Sequence, residues 1–237
     1  MVEKIDSMPI LDDRFYLLKT LGTGATSKVK LGVEKEQGLK VAVKILKQSA
    51  TPKQKQKLLE SMVKEIKAMQ ELEHPNVIRM YDFGDEGKIV RPDGAESTQN
   101  VFVVLELAKG GLLFDYVSFG AFPEPISRLY FQQMIKALAY VHSKGFAHRD
   151  MKLENILLDD QFNLKIADFG FVADVQSVLQ TYAGTPRYMA PEILQNRPYD
   201  GASVDLFAAG NILFSFVAGH APYKGATPDD HWYSKIY

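Results

Sequence analysis

The chain has 237 residues, of which 46% are hydrophobic and 24% charged, as expected for a folded globular protein. Its 28 Lys and Arg residues nearly balance 29 Asp and Glu residues, and this gives no support to nucleic-acid or acidic-membrane binding through overall charge. The chain has no cysteine, so disulfides, zinc sites built on thiolates and a cysteine nucleophile are excluded.

Two stretches bear on the location of the protein. The first 18 residues carry charges throughout and do not read as a secretory signal. The most apolar stretch, residues 206–219, is short for a bilayer span and has Asn211 at its middle, so we interpret it as a buried helix. We therefore expect an intracellular protein, cytoplasmic by default, with no membrane insertion.

The first half of the chain predicts strands interrupted by one helix. Alternating apolar and polar residues with glycines at the breaks predict strands within residues 15–46. Helical spacing over residues 52–72 places four apolar side chains on one face: Leu58, Met62, Ile66 and Met69. Two further strands are predicted over residues 74–84 and 100–108, with a polar hairpin excursion between them.

The second half predicts mainly helices. Residues 122–145 form one long amphipathic pattern, entered through Pro125 and closed by Gly145. A strand-rich part followed by a helical part predicts an α+β fold with a cleft between two lobes. We divide the chain into an N-terminal extension (1–14), a first lobe (15–107) and a second lobe (108–237).

Two features of the first lobe could bind phosphate. The glycine-rich turn LGTGATSKV, residues 21–29, lets the backbone approach an anion, although Ser27 stands where a third glycine would complete the pattern. An ordinary hairpin turn is the alternative. Lys44 ends the run VAVK, and Glu65 on the predicted helix is its candidate partner. An ion pair would hold the ammonium rigidly, whereas two solvated charges would contribute little.

The second lobe carries the polar groups that favour phosphoryl transfer. In the loop over residues 146–158, Asp150 can accept a proton and Lys152 can neutralise a phosphoryl group. Asn155 and, ten residues beyond the loop, Asp168 can supply oxygen ligands to magnesium. A single such Asp would more often be a turn or helix cap, but the whole ordered array favours chemistry.

These motifs resemble a known family. HRDMKLEN (148–155), DFG (168–170) and APE (190–192), after the glycine-rich turn and VAVK, resemble the eukaryotic protein kinases of the serine/threonine type. The subgroup most similar is the calmodulin-dependent and AMP-activated kinases. The resemblance covers about residues 15–237 and implies the two-lobed kinase fold, with a small β-rich lobe, a larger α lobe and the last helices missing.

The resemblance implies an activity and a role for each motif residue. The activity is transfer of the γ-phosphoryl group of Mg-ATP to Ser or Thr of protein substrates. Asp150 would be the catalytic base, helped by Lys152, and Lys44 paired with Glu65 would contact phosphates. Asn155 and Asp168 would hold Mg²⁺. The implied nucleotide-binding residues are Leu21, Gly22, Thr23, Gly24, Ala25, Thr26, Ser27, Lys28, Val29, Ala42, Lys44, Leu105, Glu106, Ala108, Leu157 and Asp168.

Regulation and packing also follow from the resemblance. Thr181 is a candidate for phosphorylation by an upstream kinase, with Arg149 available to bind the phosphate. The alternative is a loop ordered without phosphate. Asp205 would open the apolar helix and tie the catalytic loop to the core, while Phe207, Leu213 and Phe216 would be partly uncovered on that helix.

Two other functions are weighed against an active protein kinase. A catalytically impaired pseudokinase or regulatory fragment would bind ATP or partners only, but such proteins commonly lack one of four residues present here: Lys44, Asp150, Asn155 and Asp168. A small-molecule kinase is disfavoured by GTPRYMAPE, residues 184–192, which resembles a peptide-docking segment.

Overall fold

The computed structural model describes residues 7–47 and 51–236. The chain divides into two compact units, Met1–Ile66 with Arg79–Leu107 and Lys67–Ile78 with Ala108–Tyr237. The mixture of strands and helices confirms the predicted α+β class. Residues 67–78, which the sequence assigns to the first lobe, belong to the second unit.

The first unit contains a closed barrel of six strands in the order β1, β2, β3, β4, β6, β5. The strands are β1 (Ile10–Leu11), β2 (Phe15–Thr23), β3 (Ser27–Glu34), β4 (Lys40–Leu46), β5 (Met80–Val90) and β6 (Glu96–Glu106). β1 pairs with both β2 and β5 and thereby closes the barrel. The segment that the sequence treats as an N-terminal extension therefore contributes a strand.

Apolar side chains fill the interior of the barrel. Seven buried residues form this cluster: Leu11, Phe15, Leu17, Val41, Val43, Phe102 and Val104. Phe102 needs two glycines opposite it, because a Cβ at Gly84 or Gly87 would lie 2.5 or 2.6 Å from its ring. Complete burial of such a side chain contributes about 1.5–3 kcal/mol.

The long β5–β6 hairpin differs from the prediction. The strand predicted from residue 74 begins at Met80. The polar stretch over residues 84–99 forms a hairpin, as predicted, but its two arms are the paired ends of β5 and β6, and only residues 91–95 form the turn. The middle of β5, residues 84–88, has no large apolar side chain, so its sequence lacks the usual strand pattern there.

Helix α1 (Pro52–Glu71) follows β4 and matches the predicted helix. In the first unit Met62 packs with Val101 and Val103 of β6, and Leu59 and Ile66 of the same helix pack against this cluster. The apolar face predicted from the helical spacing is therefore the buried face.

The second unit is mainly helical. Its elements are β7 (Gly111–Leu112), α2 (Leu113–Val117), α3 (Glu124–Ser143), β8 (Phe146–Ala147), β9 (Ile156–Leu158), β10 (Leu164–Ile166), β11 (Ala173–Asp174), β12 (Val178–Leu179), α4 (Pro191–Leu194), β13 (Tyr199–Asp200) and α5 (Gly201–Ala218). Short 3₁₀ turns cover Leu153–Asn155 and Tyr233–Lys235. The strands form three small sheets: β10–β9–β7, β11–β8 and β12–β13. Helix α3 has Pro125 in its first turn, and Gly145 takes a φ of 87° just beyond its end, as predicted.

Helix α5 begins at Gly201, four residues before the predicted start at Asp205. Phe216 is fully buried against Phe122 and Tyr130, so the prediction that it is partly uncovered is wrong. Among the described residues, this helix alone is long and apolar enough to cross a membrane, and half of it is buried inside the protein, as in a core helix.

The side chain of Asp200 caps the first turn of α5. Its carboxylate accepts hydrogen bonds from Ser203 N at 2.9 Å and Ser203 Oγ at 2.6 Å. We expect Asp200→Ala to lower the free energy of unfolding by about 1 kcal/mol at pH 7, because the cap satisfies backbone N–H groups that otherwise lack a partner in the helix. Urea unfolding followed by circular dichroism measures this.

The cap also predicts a pH dependence. The hydrogen bond from the Ser203 side chain holds the pKa of Asp200 below its ordinary value. A carboxylate with a lower pKa in the folded state stabilises the fold above its unfolded pKa of about 3.9, and this stabilisation is lost as the pH falls through the folded pKa. The difference in the free energy of unfolding between wild type and Asp200→Ala should therefore become smaller at acidic pH. Asp200→Asn is the control, since it keeps an acceptor without a charge; a constant gap at all pH values would contradict the prediction.

Candidate active site

The loop after β8 is fixed by a buried carboxylate from α5. Asp205 is 1% exposed; its Oδ2 accepts from His148 N at 2.8 Å and its Oδ1 from Arg149 N at 2.7 Å. These bonds hold Arg149 at a φ of 64°, a left-handed conformation that is uncommon for a residue with a long side chain. Gly201 lets α5 approach closely, since a Cβ there would lie 2.5 Å from Ala147 Cβ.

Asp150 lies at the centre of a polar cluster formed by the same loop. Its Oδ2 accepts from Lys152 Nζ at 2.5 Å and from Asn155 Nδ2 at 3.1 Å, and its Oδ1 accepts from Thr185 Oγ1 at 2.8 Å. Lys152 Nζ also donates to Thr185 Oγ1 at 2.9 Å. Asp150 is 4% exposed and its carboxylate is held on both oxygens, so its orientation is fixed.

Thr185 reaches the cluster because the chain before it passes very close to the loop. Gly184 has a φ of 111°, and a Cβ there would lie 2.8 Å from the carbonyl oxygen of Arg149. Tyr188 N donates to Thr185 O at 2.9 Å and closes the turn. Burial, more than the nearby Glu154 charge, raises the pKa of Tyr188 to about 12, so its phenol stays neutral at physiological pH.

Asn155 and Asp168 provide oxygens suited to a hard cation. Asn155 directs its amide hydrogens at Asp150, which leaves Oδ1 as the group that can face a cation. The backbone bond from Ala167 N to Asn155 O, 2.9 Å, joins the two segments. No three His, Cys, Asp or Glu side chains within the described part of the chain converge on a metal site. The donors fit Mg²⁺ that is carried by substrate phosphates, because such sites use one or two protein oxygens.

Two buried rings, of Phe169 and His148, fix the backbone around Asp168. Asp168 has a φ of 64°, and Phe169 after it is fully buried with its ring 4.9 Å from the His148 ring. His148 Nδ1 accepts from Asp150 N, so Nε2 carries the proton and donates to Ala167 O at 3.0 Å. One buried imidazole therefore links the segments that carry Asp150 and Asp168.

In the first unit, Lys44 and Glu65 form a buried ion pair. Lys44 Nζ lies 2.6 Å from Glu65 Oε1, and the side chains are 11% and 5% exposed. The pair joins β4 to α1, as the helical phase of Glu65 predicts. A buried pair of this kind is sensitive to loss of either partner, because the remaining charge keeps its desolvation cost.

The glycine-rich turn connects β2 to β3. Gly24 N donates to Ser27 O at 3.0 Å, and Lys47 Nζ contacts Gly24 O. A Cβ at Gly22 would meet no atom within 4 Å, and one at Gly24 would make only ordinary contacts. Neither residue has a positive φ. The fold of this unit therefore does not require these two glycines, whereas close approach of a phosphate to the backbone would.

The other predicted nucleotide-binding residues are divided between the units. The first unit carries Val29 and Ala42 on adjacent strands, with Ala42 opposite Leu105 and Val41 opposite Glu106. Glu106 is fixed by a hydrogen bond from Arg79 N to its Oε2 at 3.1 Å. The second unit carries Ala108 and Leu157, and Leu157 pairs with Leu112 and Lys165.

The sequence matches a family model described as the protein kinase domain over residues 15–236. The chain belongs to the protein kinase domain family. This confirms the family predicted from the motifs.

Curated relatives of this kinase domain include three plant proteins. The chain is 42% identical over 217 residues to CBL-interacting protein kinase 33 of Oryza sativa subsp. japonica, and the matched region covers 89% of this chain and 45% of the relative. It is 43% identical to CBL-interacting serine/threonine-protein kinase 26 of Arabidopsis thaliana, covering 89% and 46%. It is 40% identical to kinase 14 of that series in Arabidopsis thaliana, covering 94% and 49%. The chain spans about half the length of these relatives.

Two residues of this kinase domain that support the loop after β8 were not predicted. His142 Nε2 donates to Asp205 Oδ2 at 2.8 Å. The sequence could have indicated this position, because His142 follows the buried residues Met134 and Leu138 at helical spacing on the same face of α3. Tyr199 accepts a hydrogen bond from Arg149 Nη1 at 3.1 Å, and nothing in its local sequence indicates this contact.

Proposed function

We propose that this kinase domain transfers the γ-phosphoryl group of ATP to the hydroxyl of serine or threonine in protein substrates. The observation that carries the proposal is the buried Asp150 carboxylate, oriented by Lys152, Asn155 and Thr185. Membership of the protein kinase domain family supports the reaction class. The relatives named serine/threonine-protein kinases support the choice of hydroxyl.

In the proposed reaction the substrate oxygen attacks the γ-phosphorus while the bond from that phosphorus to the β,γ-bridging oxygen breaks. The hydroxyl proton passes to Asp150, and ADP leaves with the bridging oxygen. Lys152 stabilises the charge on the transferred group, and its ammonium is already held beside Asp150 and Thr185. Phosphoryl transfer needs little covalent help from protein, so positioning of these groups carries most of the catalysis.

ATP and magnesium are the proposed substrate and cofactor. Lys44, fixed by Glu65, would contact the α- and β-phosphates, and the backbone of residues 22–29 would approach them. Asn155 and Asp168 would hold Mg²⁺, which neutralises charge on the phosphates when bound. The remaining proposed nucleotide contacts are Leu21, Ala42, Leu105, Glu106, Ala108 and Leu157.

The proposed function is tested by incubating the 237-residue chain with Mg-ATP labelled at the γ-phosphate and a library of serine-, threonine- and tyrosine-containing peptides. We expect label in serine and threonine peptides and none in tyrosine peptides. Adding EDTA to chelate the magnesium should stop transfer of the labelled phosphate. Binding of a fluorescent ATP analogue without any transfer would favour the pseudokinase alternative.

Thr181 is proposed as a regulatory phosphorylation site. Its side chain is exposed, and a phosphate there would add about −1.5 to −2 charges and three acceptor oxygens. We expect peptide phosphorylation by Thr181→Ala to be several-fold slower than by protein carrying phosphothreonine at 181. Ser177→Ala is the matched control on the same exposed segment. Equal rates for the Thr181→Ala and phosphorylated proteins would show that packing alone orders this segment.

A further inference from the structure

A chain of hydrogen bonds joins the loop after β8, which carries Asp150, to residues 171–185, here called the Thr181 segment, through one buried hydroxyl. Tyr199, 5% exposed, accepts from Arg149 Nη1 at 3.1 Å and donates to the carbonyl oxygen of Thr181 at 2.8 Å. Arg149 Nε donates to Phe171 O at 2.7 Å. The guanidinium next to Asp150 therefore contacts this segment directly at Phe171 and, through Tyr199, at Thr181.

Tyr199 is held in place independently of this hydroxyl. Its ring packs with Met189, Ile193 and Val204, and its strand β13 pairs with β12, two residues before Thr181. The strand pairing brings Leu179 opposite Tyr199, so the hydroxyl meets the chain where it leaves β12. Because ring and strand fix Tyr199, its hydroxyl can act as a rigid link between the Arg149 guanidinium and the Thr181 carbonyl group.

We propose that Tyr199 is a positioning residue that links Arg149 to the Thr181 segment in the unphosphorylated chain and that a phosphate on Thr181 takes over this link. A phosphate oxygen is a stronger acceptor for a guanidinium than a phenol, since the hydrogen bond is charge-assisted. The Tyr199 link therefore maintains a basal order of the segment that does not need phosphorylation. The inference rests on the proposed function only for its effect on catalysis.

The test compares four proteins in a two-by-two design: wild type and Tyr199→Phe, each with threonine or phosphothreonine incorporated at position 181 during translation. Hydrogen–deuterium exchange over residues 178–185 reports the order of the segment without requiring catalysis. Without phosphate we expect exchange in Tyr199→Phe to be about tenfold faster than in wild type, because a hydrogen bond to a charged group is lost. With phosphothreonine the two proteins should agree within about twofold.

Activity should follow the same pattern. Unphosphorylated Tyr199→Phe is expected to phosphorylate peptide about tenfold more slowly than wild type, with the loss removed by phosphothreonine at 181. Tyr182→Phe is the matched control, since Tyr182 is an exposed neighbour on the same segment. 4-Aminophenylalanine at position 199 restores a donor to the Thr181 carbonyl and should return exchange towards the wild-type rate.

Two results would overturn the role of Tyr199. One is wild-type exchange in unphosphorylated Tyr199→Phe; the other is faster exchange that phosphothreonine does not reverse, which would mean the hydroxyl only supports local packing. Melting temperatures are compared first, and the retained ring should keep them within a few degrees. If wild type shows no peptide phosphorylation under any condition, the proposed function fails, whereas the exchange pattern still decides the role of Tyr199.

Discussion

Asp150→Asn is expected to reduce peptide phosphorylation by about 10²- to 10⁴-fold, the range that a lost general base and orienting group accounts for. Asparagine keeps the shape of the side chain but cannot take up the hydroxyl proton. Its amide oxygen can still accept from Lys152 and Asn155, and the Thr185 hydroxyl can rotate to accept from the new amide nitrogen. The substitution therefore removes the chemistry and retains most of the cluster.

Three measurements separate this effect from misfolding. Single-turnover transfer of labelled phosphate reports the chemical step, and melting temperature reports the fold. Binding of a fluorescent ATP analogue should persist, because the proposed phosphate contact at Lys44 is unchanged. Asp160→Asn is the matched control, since Asp160 is exposed and paired with Lys109 on the surface. Transfer by Asp150→Asn at the wild-type rate would remove Asp150 from the mechanism.

The sequence predicted those parts of the fold that local pattern determines. Helix α1 was predicted within one residue of its observed end, because four apolar residues at helical spacing identify its buried face. The same phase places Glu65 on that face, and this is why its pairing with Lys44 could be anticipated. Helix α3 was equally clear, since Pro125 and Gly145 mark its two ends.

Tertiary contacts decide the features that were missed. Closure of the barrel by Ile10–Leu11 depends on two backbone pairings and has no signal in a two-residue strand. Phe216 was expected to be partly uncovered, but helix α5 is apolar on all faces, so its sequence could not indicate which face is the outer one. The large apolar side chains that helix α5 exposes are instead Leu206, Phe214 and Val217.

The support of the loop that carries Asp150 shows the same limit of local pattern. Arginine has no preference for a positive φ, so the left-handed Arg149 can be explained only by the carboxylate of Asp205, 56 positions away. Asp205 was expected to tie the loop to the core, but only from the family resemblance. Tyr199 had neither a pattern nor a resemblance to identify it, and its role depends on where β13 places its hydroxyl.

Lys44→Met is expected to lower peptide phosphorylation by orders of magnitude and also to destabilise the fold. Catalysis falls because the proposed phosphate contact is lost in the transition state. Stability falls because Glu65 stays in its buried position after the ammonium at 2.6 Å is gone. Removing one partner of a buried pair typically costs about 3–5 kcal/mol.

The double variant Lys44→Met/Glu65→Gln separates the two effects. Removing the buried charge of Glu65 should recover much of the lost stability, since a neutral amide has a smaller desolvation cost than a carboxylate. Activity should not recover, because the phosphate-binding ammonium is still absent. Lys40→Met is the matched control, since Lys40 is an exposed lysine on the same strand. If the double variant regains activity together with stability, Lys44 acts only through the fold and its proposed contact with phosphate is wrong.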